Sequence, residues 1–209
     1  MTKHTLITFF LVGTLSLVIG GWLGSQFRDS AIKVPQDLEA SLFPEGRDLP
    51  ELTLIDQDAK PFGNQRLKGK WSFMFFGFTR CPDICPDTLS VMQEVWETIG
   101  KDYPLQMLFI TVDPMQDTPK AMKEYVKYFH KDFIGITGEL ANIDKLTRSL
   151  GILYGYEPTG KDKNSYGVNH SAQILLIAPD AKLRAVFSPP HEVDEITETF
   201  RKIEKLVGG

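Results

Sequence analysis

The sequence predicts a three-layer α/β domain entered through an N-terminal β-hairpin and preceded by a single transmembrane helix. Three observations carry this prediction. Trp71–Phe78 is almost continuously apolar and aromatic, the pattern of a central parallel strand covered on both faces. Strand-like and helix-like runs alternate after it, as in β-α-β units. Leu6–Leu23 is an eighteen-residue run without a charge. At the helical rise it spans about 27 Å, close to a bilayer core.

Lys3 and the N-terminal amine precede the apolar run, and Arg28 is the next charge. Trp22 and Phe27 sit where interfacial aromatics belong. The rival reading is a cleaved signal peptide, but Gly20–Gln26 has no Ala-x-Ala site. No cysteine follows the run, which argues against lipoprotein processing. Ala31–Asp48, of mixed polarity and containing proline, reads as a tether. Leu52–Ile55 and the turn at Asp56–Asp58 start a hairpin, and Leu67–Lys70 is a turn before the central strand.

Pro86 suits the first position of a helix and Asp87 its positive end, with Leu89, Met92, Val95 and Trp96 at helical spacing. Leu105–Val112 is the next strand and runs into Asp113-Pro114. Thr118-Pro119 opens a helix carrying Met122, Tyr125, Val126 and Phe129 on one face. Ile134–Thr137 is a short strand, and Asn142–Leu150 a helix with Ile143, Leu146 and Leu150 inside. Tyr154–Val168, glycine-rich and charged, reads as a hairpin or excursion outside the core. Ser171–Ile177 and Leu183–Phe187 form an antiparallel pair around the turn at Ala178–Ala181, and Asp194–Val207 is a closing amphipathic helix.

The only cysteines of the 209 residues are Cys81 and Cys85, in Arg80-Cys81-Pro82-Asp83-Ile84-Cys85-Pro86. They lie at the carboxyl end of the central strand, where ligand sites of open α/β sheets collect. This is a thioredoxin-like placement, with Cys-x-x-x-Cys instead of Cys-x-x-Cys. A net charge of −4 and no basic run argue against nucleic acid and are compatible with a metal cation. The two thiols can hold a thiophilic metal, exchange disulfides, or close a structural bridge. The last is a poor staple, because so short a loop restricts the unfolded chain little.

Cuprous ion favours thiolates, with imidazole a good third ligand. Zinc held by the same side chains and water is the rival. His4 precedes the apolar run and cannot reach. His130 reads as a solvated helix terminus, and His191 as a cap or a solvated loop residue. His170, in Val168-Asn169-His170-Ser171 before a core strand, is either a ligand or a structural imidazole. Asp83 reads as a turn residue and Asp87 as a first-turn acid. Asp113 is either support for the site or strand-end turn chemistry, and Arg80 reads as exposed. The scattered methionines read as core filling.

Cys-Pro-Asp-Ile-Cys-Pro at 81–86, Val-Asp-Pro at 112–114 and Val-Asn-His-Ser at 168–171 resemble the Sco/SenC family of membrane-anchored copper chaperones. The resemblance runs from about Leu49 to Leu206. It implies a thioredoxin-like copper-binding domain over 49–209, after an anchor over 1–27 and a tether over 28–48. It implies copper, as Cu(I) or Cu(II), on Cys81, Cys85 and His170, the two cysteines also being redox-active. The implied role is to deliver copper to the binuclear copper site of cytochrome c oxidase, or to prepare that site. The implied partners are subunit II of the oxidase or another copper-site apoprotein, and an upstream copper donor or thiol reductant. The alternative is a thiol-disulfide oxidoreductase that reduces the cysteines of a copper-site partner. The expected location is a bacterial inner membrane, held by residues 6–23, with the C-terminal domain in the periplasm. Where the family usually has Asp-His-Ser, Asn169 stands, which predicts an altered charge beside the ligand.

Overall fold

The computed structural model describes residues 42–158 and 166–207, together with Ser16. The expected membrane segment at 6–23, apart from Ser16, and His4 lie outside the described residues. Among the described residues no helix is long and apolar enough to cross a membrane.

Strand β4 (Trp71–Gly77) is buried at every position, as is its parallel neighbour β5 (Leu105–Thr111). Such runs cannot alternate inside and outside, because both faces of the sheet are covered. Helix α1 (Ile84–Ile99) connects β4 to β5, and α2 (Pro119–Phe129) connects β5 to the parallel strand β6 (Ile134–Thr137). These are the two β-α-β units the sequence predicts. Strands β2 (Leu54–Asp56) and β3 (Pro61–Phe62) form the expected hairpin, which extends the sheet beyond β6. On the other side of β4, strands β9 (Ile174–Ile177) and β10 (Lys182–Phe187) run antiparallel.

With β1 (Leu42–Asp48) the sheet has eight strands, ordered β1-β10-β9-β4-β5-β6-β2-β3. Strand β1 corrects the sequence reading, which places residues 42–48 in the tether. Its composition disguises it, since Leu-Phe-Pro-Glu-Gly-Arg-Asp has neither alternation nor a long apolar run. An edge strand tolerates such residues. Its register against β10 shifts between Leu42 and Arg47, where Gly46 takes φ +70°. The Pro44 carbonyl accepts a hydrogen bond from Arg184 of β10.

One face of the sheet carries Trp71, Phe73 and Phe75 of β4. Phe200 of α4 (Val193–Val207) packs against Trp71 and Phe73, with ring centroids at 5.3 and 5.6 Å. Tyr125 of α2 packs on Phe109 of β5 at 5.3 Å, and Phe109 stacks on Phe75 at 6.1 Å. Helix α3 (Leu140–Leu150) buries Ile143, Leu146 and Leu150, as its spacing predicts. Strands β7 (Tyr154–Pro158) and β8 (Tyr166–His170) form a separate two-stranded hairpin, the excursion expected over 154–168.

Among the described residues the Tyr125 hydroxyl, which is buried, has no hydrogen-bond partner. An unsatisfied buried hydroxyl is a cost, not a support. Tyr125→Phe is therefore expected to leave the unfolding free energy unchanged or to raise it by up to about 1 kcal/mol. Urea denaturation of both proteins checks this, and a loss of more than about 1 kcal/mol would contradict it.

Candidate metal centre

The thiol loop leaves β4 at Gly77 and turns at once. Cys81 N–H donates to the Phe78 carbonyl at 3.2 Å, closing a turn whose central residues are Thr79 and Arg80. Helix α1 then begins earlier than the sequence indicates, at Ile84 instead of Pro86. Asp83 caps it, its Oδ1 accepting from Ile84 N–H at 2.6 Å. This supports the turn reading of Asp83 and leaves Asp87 in the first turn, as expected. The earlier start places Cys85 inside the first helical turn, where it is wholly buried, while Cys81 stays partly exposed. Both are free thiols.

Gly77 makes room for the second sulfur. A Cβ there would lie 2.6 Å from Cys85 Sγ and 2.7 Å from Phe109 Cε2. Gly77 was not singled out from the sequence, since a glycine at a strand end also marks an ordinary turn.

His170 ends β8, and its ring meets Phe75 and Phe78 edge-on, with both centroid separations 5.9 Å. His170 Nδ1 lies 2.9 Å from the Ser171 carbonyl. A carbonyl only accepts, so Nδ1 carries the hydrogen and Nε2 presents its lone pair. That lone pair faces Cys85 Sγ at 3.3 Å. Cys85 N–H in turn points at Cys81 Sγ at 3.4 Å. The Cys81, Cys85 and His170 donor atoms all lie within 4.8 Å of one another, a group able to hold a metal ion. A ring nitrogen held by a carbonyl is the usual outer support of a histidine ligand.

Burial sets the protonation of this group. It pushes the Cys85 thiol far above its ordinary range, and only a backbone bond near Phe78 opposes this. It lowers the His170 pKa, opposed by the Ser171 bond. The metal-free centre is therefore a neutral thiol beside a neutral imidazole, and a cation bound here displaces the Cys85 proton.

Both shifts act on folding stability. As pH falls below about 6.5, unfolded His170 takes up a proton that the folded form resists, so stability declines toward acid. As pH rises past about 8.5, unfolded Cys85 loses the proton that the folded form keeps, so stability declines toward base. Urea unfolding between these limits and beyond them is expected to show a flatter acid limb in His170→Ala and a flatter alkaline limb in Cys85→Ser. Unaltered slopes would remove each assignment in turn.

Around the thiols the structure adds to the sequence reading at three places. Arg80 is exposed, as the sequence indicates, but it is paired. Its Nη2 donates to Asp113 Oδ2 at 2.9 Å, and its guanidinium lies 5.5 Å from the centre of the Tyr166 ring. Asp113, fully buried, is support for the site and not simple turn chemistry, since its other oxygen accepts from Tyr166 Oη at 2.9 Å. It thus links the thiol loop to the hairpin that carries His170. Asn169 is exposed, because successive side chains of β8 point to opposite faces. Its changed charge is directed away from the imidazole.

The other histidines stay apart from the thiols in their contacts. His130 caps α2 and packs on Trp96 and Phe133 instead of being solvated. His191 Nε2 is bonded to the Ala172 carbonyl at 2.7 Å. Tyr166, Asp117 and Thr79 were missed by the sequence reading. Tyr166 lies in the excursion, and Asp117-Thr118-Pro119 has the form of an ordinary helix start.

One loop thiol, one thiol in the first turn of the following helix and a fixed imidazole, at the carboxyl end of a central strand, define a thioredoxin-like domain with a candidate metal site. The SCO1/SenC family model matches residues 47–206, and the chain belongs to that family. A protein of Stutzerimonas stutzeri described as a putative copper-binding protein is 38% identical over 164 residues, covering 78% of this chain and 79% of its own. An SCO2-like protein of Rickettsia conorii is 40% identical over 152 residues, 72% of this chain and 74% of the relative. Among solved structures, Arabidopsis thaliana ScoI with copper bound superposes with a TM-score of 0.70 at 34% identity, covering 75% of this chain and 97% of that one. Bradyrhizobium japonicum ScoI with copper bound gives a TM-score of 0.67 at 34% identity, covering 75% and 99%.

Proposed function

We propose that this protein is a copper chaperone that holds one copper ion as cargo on Cys81, Cys85 and His170. It passes the ion to the binuclear copper site of cytochrome c oxidase, or prepares that site. The observation that carries the reading is the convergence of two sulfurs and an oriented imidazole nitrogen within 4.8 Å. The donor set suits copper, because two thiolates and an imidazole favour Cu(I) and also accommodate Cu(II). The relatives described as copper-binding or solved with copper support the same choice over zinc.

The two sulfurs have different parts in transfer. Cys85 and His170 form the buried side of the site. Cys81, partly exposed, is the sulfur an incoming ligand reaches first. Exchange begins there: an acceptor thiolate replaces Cys81 on the ion, and Cys81 recovers a proton as it leaves. The fully buried Cys85 and the imidazole release last, and the deep burial that disfavours the Cys85 thiolate helps that release. Expected partners are subunit II of the oxidase or another copper-site apoprotein, with an upstream copper donor or a thiol reductant. When empty, the two thiols can give two electrons and two protons to an external oxidant such as a partner disulfide and close to a disulfide, which such a reductant reopens. The apolar run at 6–23 supports a single-pass anchor in a bacterial inner membrane, with the domain in the periplasm.

A thiol-disulfide oxidoreductase is the less favoured reading, because Cys-x-x-x-Cys is not the usual Cys-x-x-Cys spacing of such enzymes and burial, which raises the Cys85 pKa, makes that thiol a poor attacking group. Metal analysis of the purified, reduced full chain is expected to find one copper per chain. The Cu(II) form should show a sulfur-to-copper charge-transfer band. No stoichiometric copper would overturn the chaperone reading.

A further inference from the structure

The turn from β5 into α2 grips the chain just before Cys81 at two points. It is folded on itself, with Gln116 and Asp117 N–H both donating to the Asp113 carbonyl, at 3.1 and 2.9 Å. This presents two carboxylates to Thr79 and Arg80, the central pair of the turn that ends at Cys81. Asp113 takes Arg80, as described. Asp117 takes Thr79 twice: Oδ2 accepts from its N–H at 3.0 Å, and Oδ1 from its Oγ1 at 2.6 Å. Thr111 Oγ1 donates to Asp117 Oδ2 at 2.6 Å and accepts from the backbone N–H of Asp113 at 2.8 Å, tying the Asp117 carboxylate to the Asp113 backbone.

Asp117 is fully buried. Its partners in these bonds are neutral hydroxyls and one amide, and a carboxylate kept from water without a cation carries a cost of several kcal/mol. Neutral asparagine or serine suits a turn of this kind equally well. The distinctive product of the carboxylate is its two-point hold on Thr79. Thr79 is flanked by Phe78, whose ring lies against His170, and by Arg80, which leads to Cys81.

We propose that Asp117 is a positioning residue for the metal centre. Its carboxylate holds the Thr79 backbone and hydroxyl, and so places the Cys81 sulfur and the Phe78 ring with respect to Cys85 and His170. The inference rests on Cys81 and His170 being copper ligands. It adds that their spacing is set by a buried carboxylate that never touches the ion.

The test compares Asp117→Asn, Thr79→Val and Thr79→Ser in the full chain. Thr79→Val keeps the carboxylate charge and the backbone bond but removes the hydroxyl, whereas Thr79→Ser keeps the hydroxyl. Cu(I) affinity is measured by competition with a chromophoric chelator, the Cu(II) charge-transfer band by absorption, and metal-free stability by urea. Asp117→Asn and Thr79→Val are expected to bind copper about 10- to 100-fold more weakly and to displace the band. Thr79→Ser is expected to restore both. A wild-type affinity and band in Thr79→Val would overturn the proposal, even with lower metal-free stability, since that is the result of a purely structural contact. If Asp117→Asn does not fold, the two Thr79 variants decide alone. If the wild type binds no copper, the chaperone reading falls and this inference with it. Copper bound equally by wild type and variants overturns only the inference.

Discussion

His170→Ala is expected to lower copper affinity by more than about 100-fold, because even the outer supports of metal ligands are worth 10- to 100-fold. The ring supplies the third donor, with Nδ1 held by the Ser171 carbonyl and Nε2 directed at Cys85 Sγ. Without it, two sulfurs remain, a partly exposed one on the loop and a buried one in the first turn of α1. The Cu(II) form suffers most, since a harder ion depends more on nitrogen than Cu(I) does. The charge-transfer band should disappear or move, while Cu(I) is held weakly by the two thiols. The variant also loses the edge contacts to Phe75 and Phe78, so its metal-free stability falls by about 1–3 kcal/mol. His130→Ala and His191→Ala separate the two effects. Both remove a packed imidazole and should lose stability with no loss of copper. Chelator competition on the three variants checks this. Wild-type affinity in His170→Ala would return His170 to a structural role.

Gly77→Ala is expected to damage fold and site together. The added methyl would sit 2.6 Å from Cys85 Sγ and 2.7 Å from Phe109 Cε2, closer than such atoms can approach. Something must shift, and Phe109 is held between Phe75 and Tyr125. The sulfur is the smaller obstacle, so Cys85 is displaced and with it the contact to His170. Overpacking of this kind costs about 1–3 kcal/mol, read as a lower urea midpoint at constant slope. Copper affinity should fall at least about 10-fold, since a displaced thiolate is a disturbance at least as large as loss of an outer support. Affinity unchanged in a destabilised protein would mean that Phe109 had moved instead, and that the Cys85 position tolerates crowding.

Much of the architecture could be read directly. The unbroken apolar run of β4, the helical stripes of α1 to α4 and the turn residues between them reflect local constraints, which act within a few residues. The metal centre was half legible. Cys81 and Cys85 announced themselves because no other cysteines compete for a role. His170 stood out only by its place before a core strand and by the family resemblance. Strand β1 escaped notice because pairing at a sheet edge depends on β10, some 140 positions away, and not on the composition of residues 42–48. The start of α1 was misjudged because Asp83 offers a capping carboxylate before Pro86 offers its ring.

What the sequence determined by itself was therefore the set of elements and the chemical type of the donors. Both follow from residue identity and short-range spacing. Three things were decided only by the tertiary structure. Burial decides that Cys85 and His170 are neutral before metal binds, because desolvation depends on what surrounds them. Strand alternation decides that Asn169 faces away from the site. The approach of the β5–α2 turn to the thiol loop decides that Asp113 and Asp117 hold Arg80 and Thr79, a contact spanning more than thirty residues. Such contacts come from folding the whole chain, and no local pattern encodes them.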